Sequence, residues 1–179
     1  CKSLIEDVCG GMRNGARMKA NIPGGSSVPV LTGEEAERVA LDYESLAEAG
    51  TMLGSGGMIV IEEGTCMVWA LAVLMKFYAH ESCGQCTPCR EGTGWLRDLV
   101  WRLESGGGTP GDMDKILSIT RNMMGTTICP LSDAAAMPAA SFVTKYREEF
   151  EQHVGAGRCP IRRSPLPWGS AAVGTGSAR

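Results

Sequence analysis

Cys83-Gly84-Gln85-Cys86-Thr87-Pro88-Cys89 is a Cys-x2-Cys-x2-Cys run, and Cys129-Pro130 follows forty positions after its last thiol. Thiols three residues apart twice over do not share one face of a regular helix. The run must therefore wrap around something on a loop. Thr87 is expected to cap a helix with Pro88 at its first position, which puts Cys89 in a first turn whose free N–H groups and positive dipole end favour an anion. A 4Fe-4S cluster held by Cys83, Cys86, Cys89 and Cys129 is such an anion. The Thr87 hydroxyl, the loop amides and the Arg90 charge are then expected to surround it and raise its potential. Ile128 and Leu131 are expected to shield the remote ligand from water. A structural zinc remains an alternative, although it usually takes paired Cys-x2-Cys knuckles. A thioredoxin-type redox pair is another, and it leaves the third cysteine without a role.

Other candidates are weaker. Cys1, Cys9, Cys66 and Cys159 have no partner spacing, so buried or free thiols are their default. The Gly54-x-Gly56-Gly57 loop precedes a strand where a dinucleotide fingerprint needs a helix, and it reads as a turn, as does Pro23-Gly24-Gly25-Ser26-Ser27. Glu62-Glu63 is expected to be solvated. His80 and His153 stand in no triad order and are expected at the surface or as caps.

The elements that must position the thiols follow from periodicity. Ser3 to Val8 reads as a short helix, Met18 to Ile22 and Val28 to Leu31 as extended pieces, Glu34 to Ala49 as a surface helix, and Met58 to Ile61 as a strand. Four helical segments follow. Met67 to Ala79 is apolar nearly all round. Trp95, Leu96, Leu99, Val100 and Leu103 form a stripe, and Met113, Ile116, Leu117, Thr120, Met123 and Met124 form another. Ala139, Phe142, Val143, Tyr146 and Phe150 form the last, with Pro138 expected in its first turn. The fold class is thus α+β: a small mixed unit over 1–63, a four-helix cysteine-bearing bundle over 64–154, and a tail over 155–179 that is rich in Gly, Pro and Ser and expected to be disordered.

The 179 residues hold 17 Lys and Arg against 20 Asp and Glu, a net charge of −3, which argues against a nucleic-acid binder. The longest uncharged apolar run, Cys66 to Met75, falls short of the roughly 20 residues of a bilayer span, so no membrane span is expected. No basic stretch followed by an apolar one opens the chain, and no signal peptide is expected. Eight cysteines without a secretory signal point to a reducing compartment and a metal site rather than a disulfide framework.

The stretch from Glu81 through the three cysteines to Arg90-Glu91-Gly92, with Cys129-Pro130 downstream, resembles the NADH-binding flavoprotein subunit of respiratory complex I. The likeness runs from Ile22-Pro23-Gly24-Gly25-Ser26-Ser27 through Leu53-Gly54-Ser55-Gly56-Gly57 to Gly157-Arg158-Cys159-Pro160. It implies a ubiquitin-like β-grasp (SLBB) unit lacking its opening strands, followed by the helical 4Fe-4S domain. It also implies that the FMN and NADH sites lie in a domain outside these residues, so that this portion relays single electrons from reduced FMN toward quinone and performs no hydride transfer itself. The partners implied are peripheral-arm subunits carrying further clusters, at the cytoplasmic face of a bacterial inner membrane or on the mitochondrial matrix side. The diaphorase subunits of NAD-reducing hydrogenases and NAD-linked formate dehydrogenases resemble the same module. The context of Gln85 and of Arg90-Glu91-Gly92-Thr93-Gly94-Trp95 looks more like complex I.

Overall fold

Met18–Ile22 (β1) is the central strand of a three-stranded antiparallel sheet in the computed structural model, which describes residues 1–161. Leu31–Thr32 (β2) pairs with one side of it, with Asn21 opposite Leu31, and Ile59–Glu62 (β3) pairs with the other, with Ile22 opposite Ile59. Of the extended piece expected at Val28 to Leu31, only its end joins the sheet, while Val28 and Val30 are buried in the core.

The single helix expected over 34–49 is two helices, Gly33–Arg38 (α1) and Tyr43–Glu48 (α2). Each has its own cap. Thr32 forms a capping box with Glu35, and Asp42 accepts from the Ser45 amide, so a second start signal inside the window ends the first helix early. The two glycine-rich loops meet as packed turns. The Ser55 amide donates to the Gly24 carbonyl at 3.3 Å, and a Cβ on Gly24 would stand 2.6 Å from the Met52 carbonyl oxygen.

Among the described residues five helices follow the sheet: Met67–Glu81 (α3), Thr87–Glu104 (α4), Asp112–Met123 (α5), Leu131–Lys145 (α6) and Arg147–Ala156 (α7). The arrangement is helix-dominated with one small sheet. Pro138 does not open a helix, as its position suggested, but lies inside α6. An interior proline costs about 3 kcal/mol. Here the helix persists because Ala135, Ala136, Ala139, Phe142 and Val143 all bury on the same core. Leu96, Val100 and Leu103 of the α4 stripe are fully buried, whereas Trp95 is 56% exposed and belongs to the outer face.

The sheet and the helices share one core: Ala20, Ile22, Val28 and Val30 pack with Met67, Leu71, Met75, Phe142 and Phe150. Polar contacts reinforce the joint. Lys19 on β1 meets Glu149 on α7 at 2.9 Å, the Tyr146 hydroxyl donates to the Lys19 carbonyl, and Val30 donates its amide to the Ser141 hydroxyl. The packed body runs past 155, where the tail was expected to begin: α7 continues to Ala156, and Cys159 and Ile161 pack against the core. The remainder of that expected tail lies outside the described residues. Among the described residues, no helix is long and apolar enough to cross a membrane.

Candidate functional site

Cys83 and Cys86 lie in the connection between α3 and α4, Cys89 in the first turn of α4, and Cys129 in the connection between α5 and α6. The cap is one residue earlier than expected: Cys86 stands at the N-cap, and Thr87 and Pro88 are the first two helical residues. A proline is tolerated there because the first-turn N–H groups have no intrahelical acceptor. Those of Thr87 and Cys89 are accordingly available to an anion at this helix start.

The loop is shaped from within. Gly84 adopts φ +79°, a conformation that side-chain-bearing residues rarely hold. The Arg90 Nη1 reaches back to donate to the Gly84 carbonyl at 2.8 Å, and its Nε pairs with Glu91 at 2.9 Å. Arg90 thus braces the loop that bears Cys83 and Cys86. The Ser82 hydroxyl touches the Cys89 sulfur at 3.3 Å and accepts from the Gly84 amide at 3.4 Å. Thr87 is exposed at the helix start.

Three contacts bring the connection bearing Cys129 to the same end of the helical body. Gly92, in the second turn of α4, faces Met123 at the end of α5 so closely that a Cβ there would stand 2.6 Å from the Met123 sulfur. The Ser132 hydroxyl on α6 then donates to the Met123 carbonyl at 3.1 Å, and Asp133 accepts from the Gly125 amide at 2.7 Å. All four are free thiols; Cys89 is buried, Cys86 half-buried, and Cys83 and Cys129 exposed. An all-thiolate set selects an iron–sulfur cluster or zinc. Among the described residues the shield expected at Ile128 does not form, since Ile128 is 87% exposed while Leu131 packs on the core. Leu131 opens α6 and can reach inward, while Ile128 sits on the outer side of the connection.

Sequence reasoning missed a second group. Cys66 at the N-cap of α3, Glu104 at the end of α4, His153 on α7 and Cys159 beyond it present donor atoms that all lie within 4.8 Å of one another. His153 is fully buried rather than at the surface. Its Nε2 stands 3.3 Å from the Glu104 carboxylate and 3.3 Å from the Cys66 sulfur, and its Nδ1 faces the Glu149 carbonyl at 2.7 Å. Burial works against the imidazolium, but Glu104, the Glu149 carbonyl and Cys159 outweigh it and push the imidazole up to about 9. Burial, then the nearby Glu104 and Cys159, push the Cys66 thiol up, opposed by the Trp69 amide that donates to its sulfur.

Glu63, expected to be solvated, is paired with Arg17 at 2.7 Å at the surface, and His80 is exposed.

Residues 69–153 match the family described as the NADH-ubiquinone oxidoreductase-F iron-sulfur binding region. The chain is 47% identical over 154 residues to the F subunit of the NADH-quinone oxidoreductase of Rickettsia bellii, covering 86% of this chain and 37% of that protein. It is 47% identical over 155 residues to the corresponding protein of Mycobacterium tuberculosis, covering 87% of this chain and 35% of that one. The chain therefore spans little more than a third of the length of these curated relatives. A solved NAD+-reducing [NiFe]-hydrogenase in the H2-reduced state shares the fold, with a TM-score of 0.70 at 24% identity over 87% of this chain and 26% of that chain.

Proposed function

Since residues 69–153 match the iron–sulfur binding region of the NADH-ubiquinone oxidoreductase-F family, we propose that this chain is the electron-relay portion of an NADH:quinone oxidoreductase subunit. In this reading Cys83, Cys86, Cys89 and Cys129 are the thiolate ligands of a 4Fe-4S cluster. The observation that carries it is that the start of α4, the end of α5 and the start of α6, which flank the two cysteine-bearing connections, meet through Gly92, Met123 and Ser132. When bound, such a cluster supplies a one-electron carrier between FMN reduced by NADH and further iron–sulfur centres on the way to quinone.

The chain's own residues do the positioning. Cys89 presents its sulfur at the start of an 18-residue helix, where first-turn amides stabilise negative charge. Arg90 holds the Cys83 to Cys86 loop by its bond to Gly84. Thr87 adds a hydroxyl at the same helix start. The buried Cys89 side limits water, and the exposed Cys83 and Cys129 sides leave this end open toward neighbouring subunits. FMN and NADH are assigned to parts of the subunit outside this chain.

The finer architecture belongs to the same reading: a partial β-grasp (SLBB-like) unit over 1–63, and a helical domain over 64–154 in which α3 to α6 form the four-helix bundle. The three-stranded sheet and the mutual packing of those helices support it. The partners are further cluster-bearing subunits of the peripheral arm, on the cytoplasmic face of a bacterial inner membrane or the mitochondrial matrix side. The 47% identity to the NADH-quinone oxidoreductase proteins favours this assembly over a hydrogenase diaphorase, for which the support is likeness of fold.

Chemical analysis of anaerobically purified protein tests the proposal. Iron and acid-labile sulfide at about four of each per chain support it. A protein without sulfide, with zinc on these four cysteines, overturns it.

A further inference from the structure

We infer that Cys66, Glu104, His153 and Cys159 form a second metal site, a closed tetrahedral zinc centre, at the opposite end of the α3–α4 hairpin from the four cysteines above. The inference stands apart from the cluster proposal, because none of its four donors is shared with it.

The donor set suits a borderline-soft cation: two sulfurs, one imidazole nitrogen and one carboxylate oxygen. Tetrahedral zinc, with Zn–S of about 2.3 Å and Zn–N or Zn–O of about 2.0–2.1 Å, requires its donors to stand roughly 3.3–3.8 Å apart. The three separations from Cys66 to His153, Cys66 to Glu104 and His153 to Glu104 are 3.3, 3.5 and 3.3 Å, and every separation involving Cys159 is within 4.8 Å. The group is already close to the required size.

The orientation of His153 is the independent support. A carbonyl oxygen only accepts, so the 2.7 Å contact with Glu149 makes Nδ1 the donor and aims Nε2 at the other three groups. Metal-bound histidines are held in this way, by a carbonyl or carboxylate on the far nitrogen. Glu149 is itself fixed, its side chain accepting from the Met67 amide and pairing with Lys19. The Trp69 amide donates to the Cys66 sulfur at 3.3 Å at the start of α3, which favours the thiolate. Two thiolates and a carboxylate against a divalent cation leave one negative charge at that helix start, and the two thiol protons and the imidazolium proton of His153 are released to solvent on binding.

The backbone is shaped for the same convergence. Gly106, at φ +83° just after α4, lies so near the Gly157 carbonyl that a Cβ would stand 2.0 Å from its oxygen. Gly157, at φ +60°, turns the chain after α7 and brings Cys159 back toward Glu104. Cys66, Glu104 and His153 are buried, and all four coordination positions are filled by protein. The site is therefore structural rather than catalytic. It staples the start of α3 to the end of α4, to α7 and to the segment behind it.

The full chain, produced with zinc supplied and purified anaerobically, is passed through EDTA and desalted, and its zinc and iron are measured together. About one zinc per chain is expected in the wild type, falling at least about tenfold in Cys159→Ala and in His153→Gln with iron unchanged. Zinc-edge X-ray absorption on the wild type should show two sulfur scatterers at about 2.3 Å, a result that does not depend on either variant folding. The inference is overturned by a wild type without zinc, by zinc retained in Cys159→Ala or lost instead in Cys129→Ser, or by four sulfur scatterers. A non-reducing mass two hydrogens light, from a Cys66–Cys159 disulfide, overturns it equally.

Discussion

The two ends of the α3–α4 hairpin gather the same kind of residue in opposite ways. At one end, Cys83, Cys86 and Cys129 lie on connections and Cys89 in the first turn of α4, with two of the four sulfur-bearing residues exposed and Ile128 standing out into solvent beside them. At the other, Cys66, Glu104, His153 and Cys159 converge from helix ends into the interior. A group that exchanges electrons with neighbours needs an open side, and a group that only holds helices together does not. With α3 15 residues long, the ends are separated by roughly 20 Å, so each can be altered without touching the other.

The comparison predicts where stability resides. Glu104→Leu leaves His153 buried without its carboxylate, and breaking a buried pair in this way costs about 3–5 kcal/mol. Denaturant unfolding of the variant checks it, and a loss below about 1 kcal/mol would show that the closed end is no tighter than the open one. Next in size is Gly106→Ala, which combines a disfavoured backbone conformation with a backbone clash; about 2–3 kcal/mol is expected, read in the same way.

These closed-end residues also mark the limit of what was legible along the chain. Cys83, Cys86 and Cys89 announce themselves because the proposed ligand set is local, with its spacing written in seven consecutive residues. Met18–Ile22 and the α4 and α5 stripes are legible for the same reason, since their periods are short. Cys66, Glu104, His153 and Cys159 are separated by 38, 49 and 6 positions and meet only once α3 and α4 fold back on each other and α7 docks across them. The one local hint is a histidine six residues before a cysteine, just ahead of a proline. Pro138 misled for a related reason: its local preference is to begin a helix, and the burial of Ala135, Ala139 and Phe142 overrides it.

A smaller effect is expected at Asp112, which opens α5. Burial works against its charge, but Arg102, the Thr109 amide and hydroxyl, and Lys115 outweigh it and hold the carboxyl well below the usual carboxylate range. A depressed carboxylate contributes stability that is present above its unfolded pKa of about 4 and is lost as pH falls toward the folded value. Asp112→Asn should therefore cost about 1.5–3 kcal/mol near neutral pH and flatten the acid limb of a stability–pH curve. An unchanged acid limb would place that pH dependence elsewhere. At the open end, Ile128→Ser should change stability by less than about 0.5 kcal/mol, because the side chain is 87% exposed. A larger loss would mean that the open end is part of the packed core.

The relay reading is tested most directly by low-temperature electron paramagnetic resonance of anaerobically purified, reduced protein beside its Cys129→Ser variant. A reduced 4Fe-4S signal in the wild type, lost or replaced in Cys129→Ser, is the predicted result. An unaltered signal in Cys129→Ser, or a wild type that gives no such signal and no sulfide, would contradict it.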